Sequence, residues 1–390
     1  MFFLLLVLAL AAAWYLGRRS SAGRNRGGGR DLTRDYFIGL NYLLNDEPDD
    51  AIDTFIHALE INSNTLETHM ALGTLLRRRG KVDKSIVVYQ GVLARPRLSE
   101  NEVNRVKVEL IRSYIAAGLL DRAERLLEEL QHAKAEIKQA ALALAINLYQ
   151  LEKEWSKAVA AADELLKICP AKERQRYQMM AAHFYCEMAL QEIELRQYSN
   201  ARQLLKKAFQ HHRGNVRASL LLGKVENSQE HYRDAIKALT KVKQQDPDFV
   251  SETFIPLLDS YHRLGSQKQL EKFIQNSLDG QTTASMILGI SDYLQRESGN
   301  SEALTFLLKH LREKPSLRIM DKALAIMGTD DSSPQLDNLR LFHHIMDEYI
   351  NTKPLYQCGN CGFEARSLHW LCPSCSEWGV IKPIKGLLGE

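Results

Sequence analysis

The sequence predicts an all-α protein: about eight helical hairpins stacked in a row, with a short apolar segment before them and a small cysteine-bearing module after them. Three observations carry that expectation. Small residues recur with steps of 33 to 43 residues through the middle of the chain, an uninterrupted apolar run fills residues 1–16, and four of the six cysteines fall in the last thirty-three residues. Bulk composition agrees. The chain has 390 residues, 45% hydrophobic and 25% charged, with a formal net charge of +3. That is ordinary globular composition, long enough for more than one domain. So near-neutral a balance gives no whole-protein case for nucleic-acid binding.

The first element is the apolar run, Phe2-Phe3-Leu4-Leu5-Leu6-Val7 and onward to Leu16, closed by Gly17-Arg18-Arg19. As a helix it would reach about 24 Å at roughly 1.5 Å per residue. That is slightly short of a ~30 Å hydrocarbon core, a mismatch that snorkelling arginines absorb. A cleaved signal peptide is the rival reading, because Ala11-Ala12-Ala13 offers small residues for cleavage. Signal peptides, however, carry positive charge ahead of the apolar stretch. Here Arg18, Arg19, Arg24, Arg26 and Arg30 follow it, with no acid until Asp31. By the positive-inside rule, residues 1–17 are an uncleaved single-pass anchor with the bulk of the chain on the cytoplasmic side. A reducing compartment also keeps thiols available for metal. Residues 18–31, with Gly27-Gly28-Gly29, read as a flexible basic linker whose arginines suit anionic lipid headgroups.

Residues 32–316 repeat. Gly39 and Gly73 are thirty-four residues apart, and each is followed by a small residue (Ala51, Ser85) and then an aromatic (Phe55, Tyr89). The small position recurs at Ala123, Ala158, Ala201, Ala235, Leu270 and Ala303. Turns fall at Gly80, Gly118 and Gly265, and terminating prolines at Pro170, Pro247 and Pro315. This pattern resembles the tetratricopeptide repeat, two helices joined by a tight turn with small residues where they cross. Repeats one, two and six match best; the family's early tryptophan is missing, and repeats five and seven are loose. The resemblance implies a right-handed superhelix with a long concave surface lined by the first helix of each pair. Its groove-facing positions would include Arg77, Arg78, Arg105, Arg112, Asn147 and Lys224. Arginines there suit carboxylates or peptide segments through forked hydrogen bonds; the plainer alternative is a solvated helix face.

Catalytic motifs are absent: there is no phosphate-binding glycine loop, no His-Glu-x-x-His and no nucleophile elbow. Cys169 and Cys186 lie in apolar helical stretches, where thiols usually only pack, although His183 sits one turn from Cys186. The adjacent pairs His211-His212 and His343-His344 point about 100° apart on a helix and do not easily share a metal. Residues 317–353 read as a degenerate last helical pair that caps the stack. Ile319, Met320, Leu324 and Ile326 form one apolar set, and Leu339, Leu341, Phe342, Ile345, Met346 and Tyr349 another.

The last element, residues 354–390, holds Cys358-Gly-Asn-Cys361 and Cys372-Pro-Ser-Cys375. Each two-residue gap lets both sulfurs face one point, so the quartet suits one tetrathiolate-bound ion, iron or zinc. Two disulfides are the alternative, against the usual compartment rules. So short a stretch cannot bury a sufficient core, and metal would hold it together. The two motifs resemble the metal knuckles of rubredoxins. Gly362 supplies the glycine expected after the second cysteine, but Ser376 replaces its counterpart, and the loop between the knuckles is much shorter. These departures favour a structural metal over an electron carrier. Trp370, Trp378, Phe363 and Tyr356 are available to shield the ion and dock the module, and His369 is a spare donor.

Anchor, repeats and terminal module together resemble the lipopolysaccharide assembly protein B family of Gram-negative bacteria, over the whole chain. The most specific stretches are Leu32-Thr-Arg-Asp-Tyr36, Gly39-Leu40-Asn41-Tyr42, Ala182-His-Phe-Tyr-Cys186-Glu187 and the closing Trp378…Ile381-Lys-Pro-Ile384-Lys-Gly386. The resemblance implies an inner-membrane adaptor, not an enzyme. It would couple the membrane protease FtsH to LpxC, the deacetylase that commits precursor to lipid A, and contact other lipopolysaccharide-synthesis and transport proteins. The family's metal ligands fall on Cys358, Cys361, Cys372 and Cys375. Two other readings stay open at this point: an iron-tetrathiolate redox protein, and a generic scaffold for envelope or pilus assembly.

Overall fold

The computed structural model describes residues 66–95, 98–279, 282–328, 334–387 and 389–390, together with Ile38 and Tyr42, both half-buried in helix. The apolar segment 1–17, the basic linker and most of the first expected hairpin (Gly39, Ala51, Phe55) lie outside the described residues. No helix among the described residues is long and apolar enough to cross a membrane.

The chain forms two compact units, residues 1–148 and 149–390. The first contains α1 (Leu66–Arg78), α2 (Val82–Leu93), α3 (Glu100–Ala116), α4 (Leu120–Glu129) and most of α5 (Ala135–Glu152). Its hairpins close because two small residues stand where the helices cross. A Cβ on Gly73 would lie 2.4 Å from the Tyr89 ring of α2, so any side chain there forces the pair apart. The fully buried Ser85 hydroxyl donates to the Gly73 carbonyl at 2.8 Å and shares a 2.9 Å hydrogen bond with Ser113 of α3. A polar side chain is thereby buried without an unmet donor. Ser99 starts α3 through a reciprocal capping box with Glu102.

The second unit continues with α6 (Trp155–Ile168), α7 (Ala171–Glu194), α8 (Tyr198–His211), α9 (Val216–Ser228), α10 (Tyr232–Thr240) and the short α11 (Val242–Gln245). A 3₁₀ turn, Pro247–Phe249, leads into α12 (Val250–Arg263), α13 (Gln267–Leu278), α14 (Ala284–Glu297), α15 (Asn300–Glu313), α16 (Leu317–Met327) and α17 (Pro334–Asn351). Among the described residues the expected small positions sit in the core: Ala123, Ala158, Ala201, Ala235 and Ala303 are 0% exposed and Leu270 is 1%. Gly223 repeats the role of Gly73, since a Cβ there would meet Leu239 of α10 at 2.6 Å.

The turns between paired helices explain why the repeat was hard to trace in places. Gly80, Gly118, Gly265 and Gly299 adopt left-handed backbone, and so do Lys153, Arg196 and Glu230 with φ near 60°. At Arg196 the following N–H, that of Gln197, bonds back to Glu192 O at 2.7 Å, as Lys81 does to Leu76 O at 2.9 Å. This six-to-one hydrogen bond ends the helix identically whichever residue takes the left-handed position. Three hairpins thus use a charged residue where glycine is the usual choice, accepting a backbone cost of about 1–2 kcal/mol each. A search for glycines passes over them.

Helices α16 and α17 end the stack, and α17 is not polar on its outer side. Leu339, His343, Met346 and Ile350 are half-buried, whereas Leu341, Phe342, Ile345 and Tyr349 are exposed. The single apolar set expected from sequence is therefore two faces of one helix. After α17 the chain makes a three-stranded antiparallel sheet, ordered β2-β1-β3, from β1 (Tyr356–Cys358), β2 (Glu364–Ala365) and β3 (Ile381–Pro383).

Candidate metal centre

The two cysteine pairs occupy two turns with the same hydrogen-bond pattern. In the first, Cys358 N–H donates to Phe363 O at 2.8 Å and Gly362 N–H returns to Cys358 O at 3.0 Å. In the second, Cys372 N–H donates to Glu377 O at 3.0 Å and Ser376 N–H returns to Cys372 O at 2.9 Å. Both closing residues are left-handed, Gly362 at φ 76° and Ser376 at φ 55°. Serine has taken the glycine conformation, so the departure noted in the sequence changes the residue and leaves the turn intact.

These turns bring the four sulfurs within 4.8 Å of one another. Cys358 and Cys375 are 3.8 Å apart, and Cys361 and Cys372 are 3.6 Å apart. A tetrahedral ion with metal–sulfur bonds of about 2.3 Å sets sulfur–sulfur edges near 3.8 Å, whereas a disulfide needs about 2.05 Å. All six cysteines are free thiols. The set fits a tetrathiolate ion and excludes the disulfide alternative in this conformation. The surroundings favour thiolate at exposed Cys361 and half-buried Cys375: hydrogen bonds from the Phe363 N–H and the Ser374 side chain pull the Cys361 thiol below its usual pKa, and those from the Asn360 side chain and the Glu377 N–H do the same for Cys375. Cys372 is buried, which pushes its thiol up until a cation compensates. His369 bonds instead to the Ser367 hydroxyl at 3.2 Å and is not among the clustered donors.

The module is fixed to the helices by groups from one side of this centre. Trp378 is 1% exposed, and its indole N–H donates to Gln150 at 2.8 Å. Its ring stacks on His183 at 4.9 Å and meets Phe184 and Trp155 edge-on, with the Arg217 guanidinium 5.8 Å from its centroid. Trp370 stacks on Phe249 at 5.3 Å. Tyr356 donates to Glu252 at 2.7 Å, Lys382 and Lys385 reach Asp248 at 2.8 and 2.6 Å, and Arg176 reaches Glu377 at 2.7 Å. Glu390 accepts from the Ser285 N–H and hydroxyl and from Arg318. Burial pushes the Glu390 carboxyl up, but those donors hold it below its usual range.

Four of these anchor points, Arg217, Glu252, Ser285 and Arg318, are each the second or third residue of α9, α12, α14 and α16. The module therefore lies along the amino-terminal ends of four successive first helices.

Comparison with known proteins follows the same division. Residues 356–383 match a family described as "Rubredoxin metal binding domain", and residues 192–252 match a tetratricopeptide repeat family. Lipopolysaccharide assembly protein B of Escherichia coli (strain K12) is 34% identical over 388 residues, covering 99% of this chain and 98% of that protein. The chain belongs to the lipopolysaccharide assembly protein B family. The family member from Haemophilus influenzae is 33% identical over 391 residues, covering 98% of this chain and 97% of that protein. Among solved structures, a tetratricopeptide repeat protein from Parabacteroides merdae aligns with a TM-score of 0.33 at 14% identity, over 72% of this chain and all of that one.

Three of the expected groove positions, Arg77, Arg105 and Arg112, take part in ion pairs of α1 and α3. Arg77 and Arg112 converge on one carboxylate, Glu109, at 2.8 and 3.2 Å. Arg105 pairs with Glu67 at 2.8 Å, and Arg78 and Asn147 are exposed. In the second unit Lys224 lines a cavity of about 950 Å³ with Ile255, Asp259, Arg263, Tyr293 and Arg296. Cys186 is fully buried, its thiol pushed up to about 12 by that burial, and it only approaches Asn215 at 3.7 Å. Sequence reasoning missed Gln150, Asp248, Glu252, Ser285 and Arg318 as dock residues. For Glu252, Ser285 and Arg318 the one signal available was place: polar residues at the first turn of successive first helices, 33 to 35 residues apart from Arg217 onward; Gln150 and Asp248 carried no such signal.

Proposed function

We propose that this chain is a non-enzymatic inner-membrane adaptor that limits lipopolysaccharide synthesis by presenting the deacetylase LpxC to the membrane protease FtsH. The observation that carries the reading is the full-length likeness to proteins named for lipopolysaccharide assembly. A stack of hairpins with an open face supports holding partners rather than turning over a small molecule. In this reading residues 1–17 anchor the chain, 18–31 form the basic linker against inner-membrane lipids, 32–316 are the repeats, 317–353 the last pair and 354–390 the metal module. Cys358, Cys361, Cys372 and Cys375 hold one iron or zinc ion, which when bound supplies the cross-link that so small a segment needs. Arg77, Arg78, Arg105, Arg112, Asn147 and Lys224 contribute to partner binding on the repeats, and other lipopolysaccharide-synthesis and transport proteins bind there too. Tethering raises the effective concentration of partners at the membrane without adding a contact.

The test is the lifetime of LpxC after synthesis is blocked, in cells depleted of this protein and re-supplied with the full chain or with residues 18–390. LpxC should persist in depleted cells, be degraded again with the full chain, and persist with the truncated one. Unchanged LpxC turnover on depletion would sink the proposal, and full rescue by residues 18–390 would remove the tether from it.

A further inference from the structure

The second helices of the hairpins mostly mix charges of both signs. Helix α6 sets Asp163 and Glu164 among its lysines, and α13 places Glu271 between Lys268 and Lys272. Helices α8 and α10 are different. No acid falls in α8, and Asp234 in the first turn of α10 is the one acid of α10 and α11. Their cations stand four residues apart: Arg202 and Lys206 on α8, then Arg233, Lys237 and Lys241 on α10 and its C-cap. Like charges at that spacing share a helix face and repel, so each row is mildly destabilising on its own.

The two rows meet. Arg202, Lys206, Lys237 and Lys241 all line a cavity of about 500 Å³ between α8 and α10. Its floor is apolar, with Leu205 and Ala238 buried and Phe209 and Leu222 half-buried. Two carboxylates also line it. Glu226 is already held by Arg202 at 2.6 Å and by His231 at 3.1 Å. That leaves exposed Asp234 against Lys206, Lys237 and Lys241, which are exposed and have no ion-pair partner among the described residues.

Surplus positive charge over an apolar floor suits an anion that carries an apolar body, and the volume falls within the ~300–1,000 Å³ of small-ligand sites. An acidic peptide fits less well. Carboxylates are best held by the planar fork of arginine, whereas lysine is a hydrated point charge. A peptide backbone would also need hydrogen-bond partners, and the only uncharged polar side chains lining the cavity are Ser199 and Gln203. A lipid headgroup needs neither, because clustered lysines answer its charge without directional bonds.

We propose that the cavity between α8 and α10 binds an anionic phospholipid, its phosphate among Lys206, Lys237 and Lys241 and its acyl carbons over Phe209 and Leu222. The site does not require the adaptor reading; an anchor at residues 1–17 would only hold it within reach of lipid.

The experiment is native mass spectrometry of the full chain in a neutral maltoside detergent, titrated with a short-chain phosphatidylglycerol. Phosphatidylcholine with the same chains has no net charge and should bind about tenfold more weakly or worse. Inorganic phosphate, which lacks the apolar body, should bind more weakly than phosphatidylglycerol. Lys206→Gln, Lys237→Gln and Lys241→Gln together should weaken phosphatidylglycerol binding by about tenfold or more. The thermal midpoint should not fall, since these changes relieve repulsion. Lys268→Gln with Lys272→Gln on α13 should leave binding unchanged. A photoreactive acyl chain on the same lipid should label the peptides that contain Phe209 and Leu222. Equal binding of the two lipids, or undiminished binding in the triple variant, would overturn the proposal. So would labelling confined to residues 1–31, phosphate binding as tightly as lipid, or a poly-glutamate peptide that binds more tightly than lipid and displaces it.

Discussion

The helical stack and the cysteine module are held by opposite means. In the stack, decisive contacts join residues no more than a repeat apart: Gly73 under Tyr89, Ser85 against Ser113, Gly223 under Leu239. In the module they span much of the chain. Trp378 bonds to Gln150 across 228 positions, Glu390 to Ser285 across 105 and Tyr356 to Glu252 across 104. The stack is a sum of similar neighbour terms, so damage to it stays local. The module has three short strands and a small cluster around Cys358, Cys372 and Ile381. It depends on a few specific groups, and what it loses is lost at once. Because it lies along the ends of four helices, that loss should spread to repeats far apart in sequence.

The largest expected effect follows from removing a ligand. Cys372→Ser deletes a fully buried sulfur from the tetrathiolate set. Structural zinc sites contribute an apparent ~10–16 kcal/mol to folding of small domains, far more than the dock can replace. The variant should lose its metal and the amide protection of β1 and β3. Protection should also fall at the first turns of α9, α12 and α14, but not in α1 to α4. Hydrogen exchange with mass detection reads all of these together. Protection retained at β3 without metal would show that the Trp378 dock alone holds the module, and the contrast with the stack would narrow.

A smaller effect should come from pH. His183 is 3% exposed between the Trp378 and Trp370 rings, and its pKa falls to about 3, first through burial and then through Arg217 and His212. Unfolded histidine titrates near 6.5. Above that value both states are neutral and the folded one carries no penalty. As pH falls below it, the unfolded chain takes up a proton that the folded site refuses, so stability drops until about pH 3. The expected loss is about 2 kcal/mol by pH 5. Denaturation followed by tryptophan fluorescence should show a falling midpoint between pH 7 and 5, and His183→Phe, which keeps a stacked ring, should flatten it. Equal slopes in both proteins would remove this histidine from the dock's energetics.

Legibility in sequence tracks the same contrast. The hairpins announced themselves because small residues such as Ala123, Ala158 and Ala201 recur at steps of 33 to 43 residues, and the cysteines because ligand spacing is local. The turns at Lys153, Arg196 and Glu230 were invisible, since the left-handed position is set by the six-to-one hydrogen bond and not by residue type. Trp378 and Trp370 were recognisable as docking groups, but their receiving surface was not. Gln150, His183 and Phe249 come from three different elements, and no local pattern relates them. The outer face of α17 was misread for a related reason. Its apolar residues satisfy a helical period whether or not anything covers them.

The smallest effect distinguishes the two halves of the centre. Gly362 and Ser376 close equivalent turns, but only serine bears a Cβ in that left-handed conformation. The conformation costs an L-residue about 1–2 kcal/mol, while glycine costs about 0.5–1 kcal/mol more chain entropy on folding. Ser376 is exposed and its backbone N–H already closes the turn, so its side chain is not needed for packing. Relief of strain therefore outweighs the entropy, and Ser376→Gly should stabilise the metal-loaded module by about 0.5–1 kcal/mol. Slower metal transfer to a competing chelator would register it, with Gly362→Ser speeding the same transfer. If Ser376→Gly speeds metal loss instead, the hydroxyl supports the second turn directly, and the two knuckles are alike in backbone only.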